Sequence, residues 1–246
     1  MSAGAALVTG ADYVAAITAR ADDRRYREAF QQLALRLSRP GSTLFDFGSG
    51  PGLDARCYAE HGRRVLAYDV DPLMSDYLDG YCRNLIEAGT VTQQRGNYRQ
   101  FLDSAPGARA ELVVSNFAPL CLVTDLAQLF AKFAAITTPD GAVLASVLSP
   151  YYLKDLRYGW WWGNAVRLAR DGRYAVPGAQ APIWRRRLAE FARQCAPGFR
   201  LAEVYAGDHA RRLARGAWLP LARCRFMFLL FRKTALASAA GALSAR

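Results

Sequence analysis

The stretch Leu44–Ala55, LFDFGSGPGLDA, sets three glycines at alternate positions directly behind an apolar run. Glycine costs backbone entropy wherever it sits, so Gly48, Gly50 and Gly52 need a local reason. The most economical one is a turn between a strand and a helix that something approaches more closely than a Cβ would allow. TLFDF reads as the buried strand, and LDARCYAEHG reads as the helix, closed by Gly62 at its C-terminal end. A chain that begins its core this way is committed to an α/β arrangement.

The pattern then repeats in kind. RVLAYDV is a second short apolar strand, and PLMSDYLDGYCRNLIEAG is a helix with Pro72 near its start and Gly89 at its end. VTQQRGN is a weaker third strand. ELVVSNF is a fourth, followed by a helix through DLAQLFAKFAAIT, and GAVLASVLS is a fifth. Strands alternating with helices imply a parallel sheet covered on both faces. Ala11 to Leu37 contains neither proline nor glycine and predicts helix, stopped by Pro40-Gly41. After Ser149 the rhythm breaks into an aromatic stretch holding four of the five tryptophans. It resumes with a helix at RRLAEFARQCA and strands at FRLAEVYAG and ARCRFMFLLFRK.

Composition narrows the partners. Hydrophobic residues make up 52% of the 246, which suits a folded domain. No apolar run approaches the roughly 18 residues of a membrane span, and no basic region precedes the apolar N-terminus, so the chain reads as cytoplasmic. The five cysteines stand singly, which argues against a zinc site and a disulfide framework, and no metal is expected. The formal charge of +11 invites a nucleic-acid reading. It is weakened because only Lys132, Lys154 and Lys233 are lysines and the arginines are spread along the chain.

In an open α/β sheet, ligands bind beyond the carboxyl ends of the strands, where strand order reverses. A ribose there is held by an acid at the end of the second strand, about 20 residues past the glycines. Asp69 stands at that place. Dinucleotide enzymes and methyltransferases share this plan, but their fingerprints differ. Gly48-Ser49-Gly50-Pro51-Gly52 is G-x-G-x-G rather than G-x-G-x-x-G. Asp46 would also repel a pyrophosphate while serving a cationic amino-acid group.

With these residues in view the sequence resembles the class I S-adenosylmethionine-dependent methyltransferases. FDFGSGPG looks like their first motif, AYDVDP like the acidic second, QRGNYRQF stands in place of the third, and ELVVSNFAPL resembles the fourth. The resemblance covers about Thr43 to Ser149 in order. It implies a Rossmann-like, seven-stranded, mostly parallel sheet with helices on both faces and an antiparallel last strand. It also implies S-adenosylmethionine as cofactor and S-adenosylhomocysteine as product. Carried over by position, Asp46, Gly48, Ser49, Gly50 and Gly52 would cradle the methionine part. Asp69 would hold the ribose, with Val70 against the adenine. Asn97 would bond the adenine amino group, Tyr98 would cover the ring, and Asn116 and Phe117 would border the sulfonium.

The organisation expected on this basis is a helical cap over 1–41, a cofactor-binding core over 42–149, and an aromatic lid over 150–184. The rest of the core follows over 185–234 and a tail over 235–246. Trp160, Trp161 and Trp162 cannot all face one core, because consecutive side chains point in different directions. No clear general base stands out. Tyr151, Tyr152 and His209 are the candidate catalytic side chains, and His61 reads as structural. The expected activity is direct methyl transfer to a small apolar or aromatic acceptor of natural-product or lipid-like kind. An RNA methyltransferase, an NAD(P)-dependent reductase and a non-catalytic binding module of the same fold stand as alternatives. A carrier-protein or peripheral membrane contact through the basic and aromatic surface, and a homodimer, are the further partners considered.

Overall fold

The computed structural model describes residues 9–105, 107–178, 181–214 and 218–235. Its five parallel strands fall on the expected segments, β1 (Thr43–Phe47), β2 (Arg64–Tyr68), β3 (Val91–Gln94), β4 (Ala110–Ser115) and β5 (Thr137–Leu148), with β5 beginning ahead of GAVLASVLS at the threonine expected to end the helix. Every residue of β1 is buried, as expected of a central parallel strand covered on both faces. The order is β3-β2-β1-β4-β5, so the strand order reverses between the parallel neighbours β1 and β4. A crevice opens at their carboxyl ends for that reason.

The sheet continues antiparallel. β10 (Phe226–Lys233) inserts between β5 and β8 (Phe199–Ala206) and runs against both. The seven expected strands are joined by an eighth, β9 (Arg211–Arg212), paired with the end of β8. It forms where the chain doubles back through a turn at 207–210 with Ala210 at φ 47. Two arginines carry no apolar alternation, so no pattern in the sequence marks it.

Helices cover both faces. The helix expected over 11–37 is two, α1 (Gly10–Thr18) and α2 (Ala21–Leu37). The Arg24 guanidinium bonds the Thr18 carbonyl at the break, an arrangement that needs neither glycine nor proline. α3 (Leu53–Glu60) follows the glycine turn, and α4 (Pro72–Tyr81) and α5 (Arg83–Glu87) follow β2. α6 (Tyr98–Asp103) and α7 (Leu126–Ile136) precede and follow β4. Under the sheet Phe47, Tyr68, Phe101 and Phe133 pack ring on ring, with centroids 4.6–5.7 Å apart. Such pairs contribute beyond the area they bury.

The aromatic stretch is more regular than its sequence suggests. It holds a short 3₁₀ turn (Leu153–Arg157), α8 (Gly159–Asp171) and a hairpin of β6 (Arg173–Val176) and β7 (Ile183–Arg186). The rest of the chain adds α9 (Leu188–Gln194) and α10 (Trp218–Arg223). Of the expected tail, residues 236–246 lie outside the described residues, as do residues 1–8 of the expected cap.

Two neighbouring arginines fasten the hairpin to the sheet. Arg185 donates to the Ser149 carbonyl at 2.8 Å and pairs with Asp155 at 3.4 Å. Arg186, 1% exposed, donates to the carbonyls of Leu120, Val123 and Thr124 in the loop after β4. Burial pulls its guanidinium down to about 10, which still leaves it charged at neutral pH. Removing it leaves buried carbonyls without their donor. Arg186→Ala is expected to destabilise the protein by about 3 kcal/mol, measured by urea unfolding, with Arg187→Ala close to neutral.

Candidate active site

The glycine turn is bolted to the end of β2 by backbone bonds. The N–H groups of Gly48 and Ser49 both donate to the Tyr68 carbonyl, at 2.8 and 3.0 Å. Gly50 N donates to Asp69 Oδ2 at 2.7 Å. The close approach inferred from the sequence has more than one source. A Cβ at Gly48 would stand 2.4 Å from Pro119 Cγ, and one at Gly52 2.7 Å from Leu78 Cγ. The protein itself crowds those two positions. At Gly50, with φ +53, no side chain or distant backbone lies within 4 Å. Gly50 is therefore the residue of the three whose bare backbone faces outward into the crevice.

Asp46, 2% exposed, ends its side chain beside this turn, and its Oδ2 has no hydrogen-bond partner among the described residues. Burial holds its carboxyl well above the ordinary carboxylate range, and the nearby charge of Asp54 adds to the shift. Arg27 opposes it. A buried acceptor left unpartnered is costly unless a donor arrives. The residue therefore suits a cationic or N–H-bearing group brought into the crevice.

Asp54, in the first turn of α3, is a site residue that sequence reading missed. It accepts from Arg27 at 2.6 Å and Gln31 at 2.7 Å, both on α2, and from Asn116 at 3.1 Å beyond β4. Arg27 also lies over the Phe117 ring, 4.5 Å from its centroid. The cap, the glycine turn and the end of β4 thus meet at one carboxylate. α1 is seated by Gly10, where a Cβ would strike Tyr77 of α4 at 2.5 Å. Its Tyr13 is largely buried, and burial raises its hydroxyl while Arg27 of α2 opposes the shift.

Asp69 Oδ1 accepts from Asp71 N at 2.9 Å, and both of its oxygens retain lone pairs for a further donor. Burial raises its carboxyl, while the bonds from Asp71 and Gly50 pull it back. Val70 is 55% exposed beside it. Asn97 caps α6: its Oδ1 accepts from Gln100 N at 2.9 Å, and Gln100 returns a bond to Asn97 N. That use of Oδ1 leaves one lone pair and the amide N–H groups for a base. Tyr98 sets its ring edge-on to Phe47, and burial pushes its hydroxyl up to about 12.

Asn116 is buried and pinned by Asp54, and its Oδ1 accepts from Phe117 N at 2.9 Å. Phe117 and Ala118 hold φ of 57 and 68, an uncommon backbone for residues bearing a Cβ. The bend turns the Phe117 ring edge-on to Phe226, which in turn meets Tyr26 of α2. Tyr26, Phe117 and Phe226 form an aromatic wall at the sheet's carboxyl edge. The Tyr26 hydroxyl accepts from Arg225 N at 3.2 Å and is pushed up to about 12 by burial.

The candidate catalytic side chains divide. Tyr152 lies within electrostatic reach of Tyr26, whereas Tyr151 packs on the core near Arg187. His209 is exposed on the turn after β8. Its neighbour Asp208 is the residue whose charge reaches Tyr26 and Cys224. His61 sits at the end of α3 with Nδ1 2.8 Å from the Cys57 carbonyl. Among the described residues no His, Cys, Asp and Glu cluster could hold a metal ion.

Comparison with known proteins bears on the family and the fold. Residues 18–177 match the family model described as a methyltransferase domain. A ribosomal protein L11 methyltransferase of Pelotomaculum thermopropionicum is 37% identical over 110 residues, 44% of this chain and 33% of the relative. A malonyl-[acyl-carrier protein] O-methyltransferase of Serratia marcescens is 28% identical over 134 residues, 52% of this chain and 47% of the relative. The chain thus spans between a third and a half of these relatives' lengths. Among solved structures, a 1,6-didemethyltoxoflavin-N1-methyltransferase of Burkholderia thailandensis, with bound 1,6-didemethyltoxoflavin and S-adenosylhomocysteine, superposes with a TM-score of 0.59 at 20% identity. That match covers 92% of this chain and 87% of the other, and it bears on fold.

Because Asp46 takes up its proton more readily folded than unfolded, its burial weighs against the fold increasingly as pH rises above the unfolded value of about 4. The effect is complete above the raised folded value. Asp46→Asn removes it. In the ligand-free protein the variant is expected to gain about 2–4 °C in Tm over the wild type by neutral pH, with the gain vanishing toward pH 4, followed by calorimetry across that range.

Proposed function

The chain belongs to the methyltransferase domain family, and from that premise we propose that it transfers a methyl group from S-adenosylmethionine to a small apolar or aromatic acceptor. The single observation that carries the cofactor half is the buried Asp46 carboxyl, whose Oδ2 has no partner among the described residues, beside the outward-facing backbone of Gly50 and the clasped Asp69. A carboxylate deprived of donors suits the ammonium of the methionine part, and Ser49 and the glycine backbone line that part's path. Asp69 can accept from the ribose hydroxyls with the lone pairs that Gly50 and Asp71 leave. Val70 offers an apolar face to the adenine, Tyr98 covers it, and Asn97 turns its remaining polar atoms toward the ring edge. When bound, S-adenosylmethionine supplies an electrophilic methyl on a sulfonium.

The remaining work of the chain is positional. Asn116 and Phe117 border the transfer position, held by Asp54 and Arg27. Tyr26, Phe117, Phe226 and Tyr152 make a wall against which a flat or apolar acceptor packs. Fixing an acceptor in line with the methyl supplies much of the rate enhancement on its own. Tyr26 keeps its proton at neutral pH, so it orients an acceptor as a hydrogen-bond donor and does not act as a base. An acceptor that ionises readily needs no more than this. The expected lid, α8 with the hairpin behind it, is fastened through Arg185 and Arg186 to the chain just past β5 and β4. The small heteroaromatic ligand of the Burkholderia thailandensis enzyme is of the size and character that such a wall suits.

Calorimetry with S-adenosylhomocysteine tests the reading. The wild type is expected to bind it and to ignore NADH. Asp69→Asn, which retains an oxygen for Gly50 N, should weaken binding by at least about tenfold. Gly50→Ala should cost only about 1–2 kcal/mol of stability yet bind more weakly still. Binding of NADH in place of S-adenosylhomocysteine overturns the proposal.

A further inference from the structure

We propose that the outward face of α8 seats the protein on an anionic lipid surface. The three tryptophans at the start of this helix part company in the fold. Trp160 stacks on Tyr158 and tilts against Tyr174 of the hairpin, and Trp161 is partly buried. Trp162 turns outward at 62% exposure. One turn on, Val166 is 68% exposed, and Ala169 continues the same exposed strip. Positions four and seven apart share a helix face, so these three side chains make one apolar stripe. Leu153, 46% exposed, adds a fourth apolar group from the 3₁₀ turn that leads into the helix.

The stripe is built to stand out. Trp162 Nε1 donates to the Leu156 carbonyl at 2.9 Å, which satisfies the indole N–H and fixes the ring while its face stays in solvent.

Charge says what the stripe meets. Arg167 and Arg170 are exposed on the adjoining strip of the same helix, and Lys154 and Arg157 are exposed on the preceding turn. Residues 151–176 carry five basic side chains against two acidic ones. Both acids are engaged, Asp155 with Arg185 and Asp171 with Arg170, and Lys154, Arg157 and Arg167 make no ion pair among the described residues. An apolar stripe rimmed by arginine and lysine is the pattern of a helix lying in a lipid interface. Each basic group near such a surface adds to the attraction of an anionic leaflet.

Size separates this from a protein partner. A helix of 13 residues is about 20 Å long, so its outer face offers on the order of 200 Å². A stable protein interface takes about 800 Å² from each side. Shallow seating in headgroups needs only one helix face. No described helix is long and apolar enough to cross a membrane, so this is contact at the surface.

Co-sedimentation with vesicles tests the proposal on the full chain without calling on catalysis or cofactor, so its failure and that of the methyl-transfer reading are separable. The wild type is expected to pellet with vesicles of equimolar phosphatidylcholine and phosphatidylglycerol, and to be released as salt rises. Phosphatidylcholine alone should hold it far less. Trp162→Glu with Val166→Glu should cut binding at least about tenfold, and Arg167→Gln with Arg170→Gln about fivefold for each charge removed. All four positions are exposed, and unchanged thermal unfolding of both variants verifies that the fold is kept. Wild type that stays in the supernatant with anionic vesicles overturns the proposal and leaves the face to an acidic protein. Equal pelleting of the Trp162/Val166 variant overturns it as well. So does a dimer, seen by light scattering, that Trp162→Glu abolishes, since the stripe then covers a second copy.

Discussion

The crevice depends on three backbone donors at one strand end. Gly48 and Ser49 share the Tyr68 carbonyl and Gly50 takes the Asp69 carboxylate, so the turn after β1 is locked to the end of β2. This lock decides where α3 starts, how Asp46 is enclosed and which way Asp69 faces. A hydrogen bond to a charged acceptor contributes roughly 1.5–3 kcal/mol, so the Asp69 clasp is the strongest of the three. Asp69 therefore holds the turn in shape before it holds anything else.

Asp54 extends the lock to the rest of the site. Its two oxygens collect Arg27 and Gln31 from α2 and Asn116 from beyond β4, two segments that are far apart in the chain. Arg27 has a 16% exposed side chain and Asp54 a 7% exposed one, so the pair lies in low dielectric, where loss of either partner strands a charge. The same arginine lies on Phe117, a contact that together with the Asn116 Oδ1 bond and the Phe226 ring offsets its left-handed backbone. The N-terminal helices are thus part of the site's wall. Their second tyrosine, Tyr26, reaches the acceptor edge through Phe226.

Arg185 and Arg186 do for the aromatic segment what Asp54 does for the cap. One binds the end of β5 and the other the loop after β4, from adjacent positions of a strand whose side chains alternate. The hairpin is held to both strand ends that frame the acceptor wall. α8 can then present Trp162 and its arginines outward while the residues behind it stay packed.

Local signals made much of this legible in the sequence. Five apolar runs, the glycine triplet and Asp69 in the following strand end are short-range patterns, because a buried parallel strand and a tight turn restrict the residues that form them. The split at Thr18, the two-residue β9, and the helix and hairpin of the aromatic segment carry no such mark. The hairpin is held by guanidinium groups on carbonyls distant in the chain, β9 by its ladder to β8, and the split by the Arg24 guanidinium on the Thr18 carbonyl. The glycines read as one ligand cradle, but packing divides them: Pro119 and Leu78 explain Gly48 and Gly52, and only Gly50 turns its backbone outward. Sequence alone determined which residues could form the turn and bear the chemistry. Tertiary structure alone decided that Asp46 Oδ2 is left without a partner among the described residues, that Asp54 ties α2 and the end of β4 to α3, and that one tryptophan of the three at the start of α8 faces out. Burial and pairing belong to side chains brought together from across the chain, and spacing along it does not encode them.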